Sequence, residues 1–306
     1  MSPILIDTHG HVQFNAFRED GHEVVKRALA AGTWIVAPGS QIDTSKRAIK
    51  YAEAYDEGVY AAVGLHPIHL EETRVDEAEV GTQPTFPTRH ELFARENYEP
   101  LFASKKVVAI GEVGLDYWRR PKTTGRRIAY MNLQKETLIA QLDLAADHNL
   151  PVIIHCRVAF NDTIEILKNH RITNAINPPG IIHSYTGNEE QLNTFMEMGY
   201  YIGLNGIIFK LPLDEVIKKA PLERIVLETD SPYLAPPQSW TKEGLAPPKS
   251  RMGGTKEGLT SPQLGDARNE PINVKYVAER VAELKGISFD EVASQTTRNA
   301  RAIFRI

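Results

Sequence analysis

His9 and His11 stand two residues apart, just after the apolar run PILIDT. In an extended segment that spacing turns both imidazoles to one face, where they can share one cation. Taken alone, His-x-His is as readily a pair of exposed loop histidines, because two-residue motifs recur by chance. Four further groups shift the balance. Glu112 follows VVAIG, His155 follows LPVII, His183 follows PGII and Asp230 follows RIVLET. Any one of them reads as a hydrogen-bonded rim residue, but together they repeat one placement, a metal-binding side chain at the C-terminal end of a short apolar run. Four imidazoles and two carboxylates exceed the needs of one tetrahedral ion. They suit two divalent ions bridged by a carboxylate and by a water or hydroxide. Such a pair acidifies the bridging water and stabilises charge on the attacked centre. The mixed donors fit Zn²⁺, Mn²⁺ or similar ions better than Mg²⁺ held by oxygen alone.

The runs that must position these groups read as strands. They are Pro3–Thr8, Thr33–Ala37, Val59–Leu65, Val107–Gly111, Pro151–Ile154, Gly180–Ile182, Tyr200–Leu204 and Arg224–Glu228. Each is short, rich in Val and Ile and nearly continuous in apolar character, as parallel strands covered by helices are. Helical spacing fills the intervals. Asp20-Gly21-His22-Glu23 reads as a capping box with Gly32 ending its helix, and Leu133, Leu138, Ile139, Leu142 and Ala145 recur at helical intervals from Arg126 to Asn149. Unbroken β-then-α alternation predicts a (β/α)8 TIM barrel, whose strand ends converge on one mouth. The alternative, a doubly wound sheet, lacks a G-x-G-x-x-G after the first strand. Pro271–Lys285 and Asp290–Phe304 read as the last barrel helix and a C-terminal extension. Glu71–Arg89 and the Pro-, Gly- and Lys-rich stretch Ala235–Asp266 are too long for ordinary connections and fall on the predicted rim.

At 306 residues the chain accommodates one such barrel, and no internal repeat or second domain stands out, so residues 1–306 are read as a single domain. A net charge of −4 gives no global attraction to nucleic acid, so phosphate contacts require a local basic patch. The single cysteine, Cys156, excludes an intramolecular disulfide and suits a reducing compartment. A charge soon after the first residues argues against a secretory leader, and no apolar run spans a bilayer, so a cytoplasmic location is expected and no membrane partner.

DTHGH at 7–11, GLHP at 64–67, GEVGLDY at 111–117, IHCR at 154–157, HSYTG at 183–187, ETDSPYLAP at 228–236 and RNEP at 268–271 follow one another along nearly the whole chain. In kind and order they resemble the motifs of the TatD family of metal-dependent deoxyribonucleases, within the amidohydrolase-like superfamily. The resemblance implies that His9, His11, Glu112 and Asp230 hold one ion and that Glu112, His155 and His183 hold the other, with Glu112 as bridge. Related enzymes of the superfamily often bridge with a carboxylated lysine, but here Lys105 and Lys106 precede the strand and Glu112 takes that place. The resemblance further implies that Asp230 orients the attacking water and takes its proton, and that His66 faces a substrate phosphate. Gly10 and the HSYTG form depart harmlessly from the family pattern. The long 235–267 loop departs more and bears on the substrate.

Arg157, two residues beyond His155, should share its face and can grip a phosphate, or else pair with Asp116 or Asp162. Asp116 and Tyr117 are placed to orient a metal-bound histidine or line the mouth, and Cys156, on the opposite face, to pack in the core. Arg119, Arg120, Lys122, Arg126 and Arg127, with Tyr117 and Trp118, form either a backbone-binding segment with stacking surfaces or a solvated loop. Lys242, Lys249, Arg251, Lys256 and Trp240 add a second such segment. The expected activity is hydrolysis of DNA phosphodiesters, exonucleolytic from a 3′ end, on single-stranded DNA or 3′ ends, with RNA as a further possible substrate. The same site allows attack on an ester or amide, as in D-aminoacyl-tRNA deacylation. A non-enzymatic scaffold barrel would lack ligands, and none of the six is missing.

Overall fold

The computed structural model describes residues 2–71, 90–118, 120–237 and 268–306. Eight parallel strands follow one another in sequence order around a single sheet. They are β1 (Leu5–Asp7), β2 (Thr33–Pro38), β3 (Val59–Val63), β4 (Val107–Asp116), β5 (Val152–Arg157), β6 (Gly180–Ile182), β7 (Tyr201–Leu204) and β8 (Ile225–Leu227). The first strand meets the last. Thr8 N–H donates to the Leu227 carbonyl at 3.0 Å, Asp230 N–H to His9 at 2.8 Å and His11 N–H to Ser231 at 2.8 Å. The expected (β/α)8 barrel is the fold. The longer described helices are α1 (Gly21–Ala30), α2 (Ile42–Glu53), α3 (Thr124–Asp147), α4 (Phe160–Asn169), α5 (Glu189–Glu197), α6 (Asp214–Lys219), α7 (Val274–Lys285) and α8 (Phe289–Phe304). None of the described helices is long and apolar enough to cross a membrane.

Alternation along the strands sorts the apolar residues into two layers. Leu5, Ile35, Ala61, Val63, Val152, Ile154, Ile182, Ile225 and Leu227 point outward into the core beneath the helices. Ile6, Val36, Ala62, Ile153, Ile181 and Val226 fill the barrel interior. Ala300, Ile303 and Phe304 of α8 belong to that same interior cluster. The predicted C-terminal extension is therefore the floor of the barrel. Its polar side chains tie the floor down: Thr297 Oγ1 donates to the Ile4 carbonyl, and Asn299 Nδ2 to those of Leu222 and Ile225.

Two expectations are corrected. No capping box forms at Asp20, whose side chain makes no cap bond. Its carboxylate instead receives both Arg268 Nη atoms, at 2.8 and 2.6 Å, while Glu23 pairs with Lys26. The stronger partner for an acid is a guanidinium fork rather than one amide. The fourth and fifth strands run past Gly111 and Ile154 to Asp116 and Arg157, with a register shift between Ile110 and Val113. Glu112 and His155 thus lie within strands rather than at their ends. Arg119 and the rim segments 72–89 and 238–267, with Trp240, Lys242, Lys249, Arg251 and Lys256, lie outside the described residues.

Candidate metal centre

Strand parity sets the centre. Ile153 and Ile181 face inward, so His155 and His183, two residues on, face inward above them. Val226 likewise puts Glu228 and then Asp230 on the inner side. His9 and His11 lie beyond the last residue of β1. Pairing with the last strand continues through a parallel bridge between Gly10 and Ser231, but because Ile6 faces inward the alternation shifts by one residue before His9, after which the two-residue spacing brings both rings together. Their Nε2 atoms are 3.1 Å apart.

All six expected ligands converge around Glu112. Oε2 of Glu112 lies 3.2 Å from His9 Nε2 and 3.8 Å from His11 Nε2. Oε1 lies 2.7 Å from His155 Nδ1 and 3.8 Å from His183 Nε2. Asp230 Oδ1 is 3.7 Å from His11 Nε2 and 3.9 Å from both His9 Nε2 and His183 Nε2. Among the described residues, the groups able to hold an ion are His9 with Glu112 and His183, His9 with His11 and Asp230, and His66 with Glu112 and His155.

Backbone hydrogen bonds fix which ring atom His11 and His66 offer, and nearby carboxylates orient His155 and His183. A carbonyl only accepts, so the 3.0 Å contact between His11 Nδ1 and Pro38 O puts the hydrogen on Nδ1 and leaves the Nε2 lone pair facing the centre. His183 Nδ1 sits 2.9 Å from Glu228 Oε1, and its Nε2 faces Glu112 and Asp230. His155 is held between Glu112 and Asp116, with Nε2 3.4 Å from Asp116 Oδ2. A carboxylate behind a ligating imidazole is the usual device for fixing its orientation. His66 is arranged the other way round. Its Nδ1 accepts from Ile68 N–H at 3.1 Å, so Nε2 carries the hydrogen and faces Glu112 Oε1 at 3.4 Å as a donor.

The electrostatics fit a cation. Burial, with the nearby charge of His183, brings His9 down to about 4, so its ring is neutral. Burial would raise Glu112, but the imidazoles of His66, His9 and His183 hold it well below the ordinary carboxylate range. The same balance lowers Asp230, through its bond to His11 and the charge of His183. Burial opposes protonation of His155 and His183, yet the adjoining carboxylates lift them to about 9 and about 10. Nearly dry lone pairs and carboxylate oxygens thus share one cavity, and protons on two histidines stand in for positive charge. This donor set fits divalent metal.

Sequence reasoning missed two positioning carboxylates. Glu228 is fully buried and accepts from Ser184 N–H at 2.7 Å and Asn205 Nδ2 at 3.2 Å, besides facing His183. Its parity with Val226 and Asp230 was the available signal. Asp7 is also fully buried and accepts from His9 N–H, Thr229 N–H and Thr229 Oγ1, joining the two segments that carry His9 and Asp230. Burial raises its carboxyl to about 7 despite those bonds. Turns beyond the ligands are tight: Val158, Ser184 and Asp230 have φ of 57°, 47° and 55°. Such backbone conformations in residues other than glycine gather where a site is rigidly positioned.

The surrounding residues divide. Cys156 is buried against Thr163 as expected, its thiol pushed up to about 12 by burial. Tyr117 offers no stacking surface, because it is buried and its hydroxyl bonds Asp162 at 2.7 Å. Asp162 also meets Lys135 at 2.7 Å. Arg157 lies with its guanidinium over the Trp118 ring, 5.1 Å from the centroid. Of the basic run, Arg126 pairs with Glu71 at 2.6 Å.

The family model described as TatD related DNase matches residues 6–305. The metal-dependent hydrolase YabD of Bacillus subtilis is 37% identical over 310 residues, covering 99% of this chain and 100% of that protein. The 3′-5′ ssDNA/RNA exonuclease TatD of Pantoea ananatis is 30% identical over 305 residues, covering 98% and 99%. Among solved structures, YJJV, a TatD homolog from Escherichia coli, superposes with a TM-score of 0.77 at 27% identity over the full length of both chains. A barrel with this cluster of imidazoles and carboxylates, matched end to end by that family and its relatives, belongs to the TatD-related DNase family of metal-dependent hydrolases.

Proposed function

We propose that this chain hydrolyses phosphodiester bonds at the 3′ ends of single-stranded DNA, with RNA as a second substrate, using two divalent cations. His9, His11, Glu112 and Asp230 would hold one cation, and Glu112, His155 and His183 the other. When bound, the cations supply an acidified water and neutralise charge on the attacked phosphate. The carrying observation is the division of labour around Glu112. Each of its oxygens faces a different set of imidazoles, while His66 presents a hydrogen rather than a lone pair. A donor fixed in that sense binds a phosphoryl oxygen and cannot ligate a metal in the same tautomer. Arg157 follows His155 by two on the inward face and adds a cation for the same phosphate. Asp230, held ionised at the centre, takes the proton of the attacking water. The names of the exonuclease relatives support this reading. A reducing cytoplasm suits the lone thiol of Cys156.

The test is digestion of a 3′-labelled single-stranded oligonucleotide with Mn²⁺, Zn²⁺ or Mg²⁺, with RNA and D-aminoacyl-tRNA run beside it. Wild-type protein is expected to shorten DNA from the 3′ end. Asp230→Asn is expected to lose at least about a hundredfold in rate while keeping its fold, given that general bases contribute on the order of 10²–10⁴. Unchanged digestion by Asp230→Asn would overturn its role. Inertness of the wild type on DNA and RNA, with turnover of the aminoacyl ester, would overturn the substrate.

A further inference from the structure

Trp118 is 46% exposed, a large apolar ring left facing solvent. It lies next to the metal centre rather than on a remote surface. Trp118 N–H donates to Asp116 Oδ1 at 2.8 Å, and Asp116 Oδ2 is 3.4 Å from His155 Nε2. The partner of Asp116 across the β4–β5 ladder is Arg157, whose guanidinium stacks on the Trp118 ring. Val158, the next residue, is a β-branched side chain held at φ 57° and 56% exposed. Its conformation ends β5 immediately after Arg157.

Arg157 lies two residues beyond His155 on the same strand face, roughly 7 Å along a strand. That spacing is close to the reach from a phosphate to the base of its own nucleotide. A guanidinium stacked on an indole is a platform with a cationic edge and an aromatic face. The cationic edge suits a phosphate, and the aromatic face suits a base of any identity.

We infer that Trp118, braced by Arg157, is a base-stacking subsite at the mouth, seating the nucleobase beside the scissile phosphate of a single-stranded nucleic acid. The inference rests on the nuclease reading for its ligand. It goes further in naming the residue that senses whether a base is present, and in predicting tolerance of base identity. A duplex end offers no unstacked base to this ring, so single strands are preferred.

The probes are a pentadeoxyadenylate and the same oligomer lacking its 3′-terminal base. Both are titrated against the whole protein in EDTA, where binding is read without hydrolysis, and both are then used as substrates with Mn²⁺. Trp118→Leu is expected to bind the intact oligomer about tenfold more weakly and to raise KM with kcat little changed, while Trp118→Phe recovers most of the loss. Wild type should bind the abasic oligomer as weakly as Trp118→Leu binds the intact one. Equal binding of intact and abasic oligomers by wild type, or of the intact oligomer by wild type and a folded Trp118→Leu, would overturn the subsite. If wild type turns over neither DNA nor RNA, the nuclease reading fails, and the EDTA titration still decides the subsite separately.

Discussion

Two imidazole Nε2 atoms 3.1 Å apart, with a carboxylate oxygen 3.2 Å from one of them, form an arrangement that favours a positive charge between its members. Without metal, that charge is protonic, on His155 and His183. Metal and proton therefore compete. The sign follows from the raised values: below about 9 for His155 and about 10 for His183, a binding cation must expel a proton, so affinity falls as pH falls. Calorimetric titration with Zn²⁺ in buffers of different ionisation enthalpy should show proton release at neutral pH and weaker binding at acid pH. Affinity independent of pH, with no protons released, would contradict this balance. At this scale the six side chains that converge were legible, because each is an ionisable group in or just beyond an apolar run. The tautomers were not. They depend on a Pro38 carbonyl and an Ile68 amide that approach only through the fold.

At the scale of the element, parity positioned His155 and His183, while irregularities near Glu112 and before His9 turned the others inward. Ile153 to His155 to Arg157 and Val226 to Glu228 to Asp230 each keep one face, so the inward run passes from barrel filling to chemistry within a single strand. Close approach between strands sets the remaining requirements. Gly114, at φ 150°, lies so near the His155 backbone that a Cβ would overlap it. Gly203 leaves the room that the Glu228 carboxylate occupies. Gly203→Ala should therefore lower stability by about 1–3 kcal/mol, as overpacking of a filled interior does. It should also weaken metal binding by displacing the support of His183. Thermal unfolding and metal titration of the variant check both, and a variant with unchanged Tm and unchanged affinity would refute the packing argument. The strand ends of β4 and β5 were misread for a physical reason. Gly and a charged residue resemble a strand terminus, yet the sheet continues wherever a neighbour pairs with it, as β5 does with Asp116. The Asp20 box failed similarly, because its competitor Arg268 is some 250 positions away in sequence and invisible to local patterning.

The whole molecule is a barrel closed at the bottom and chemically equipped at the top. α8 seals the floor with Ala300, Ile303 and Phe304, and the seam between β1 and β8 is bonded just where His9, His11 and Asp230 emerge. Closure and site assembly share the same bonds, since those that join the first and last strands also register His9, His11 and Asp230 against one another. Asp7 reinforces this by bonding both sides of the seam. β/α alternation made the barrel legible from composition and period alone. The seam chemistry was hidden, because it pairs residues from opposite ends of the chain.

Anomalous diffraction from crystals soaked in Mn²⁺ or Zn²⁺ probes the centre most directly. Two peaks are predicted, one bounded by His9, His11, Glu112 and Asp230, the other by Glu112, His155 and His183, with the Glu112 carboxylate between them. Side chains splayed away from one another, with no peak inside the barrel mouth, would contradict it.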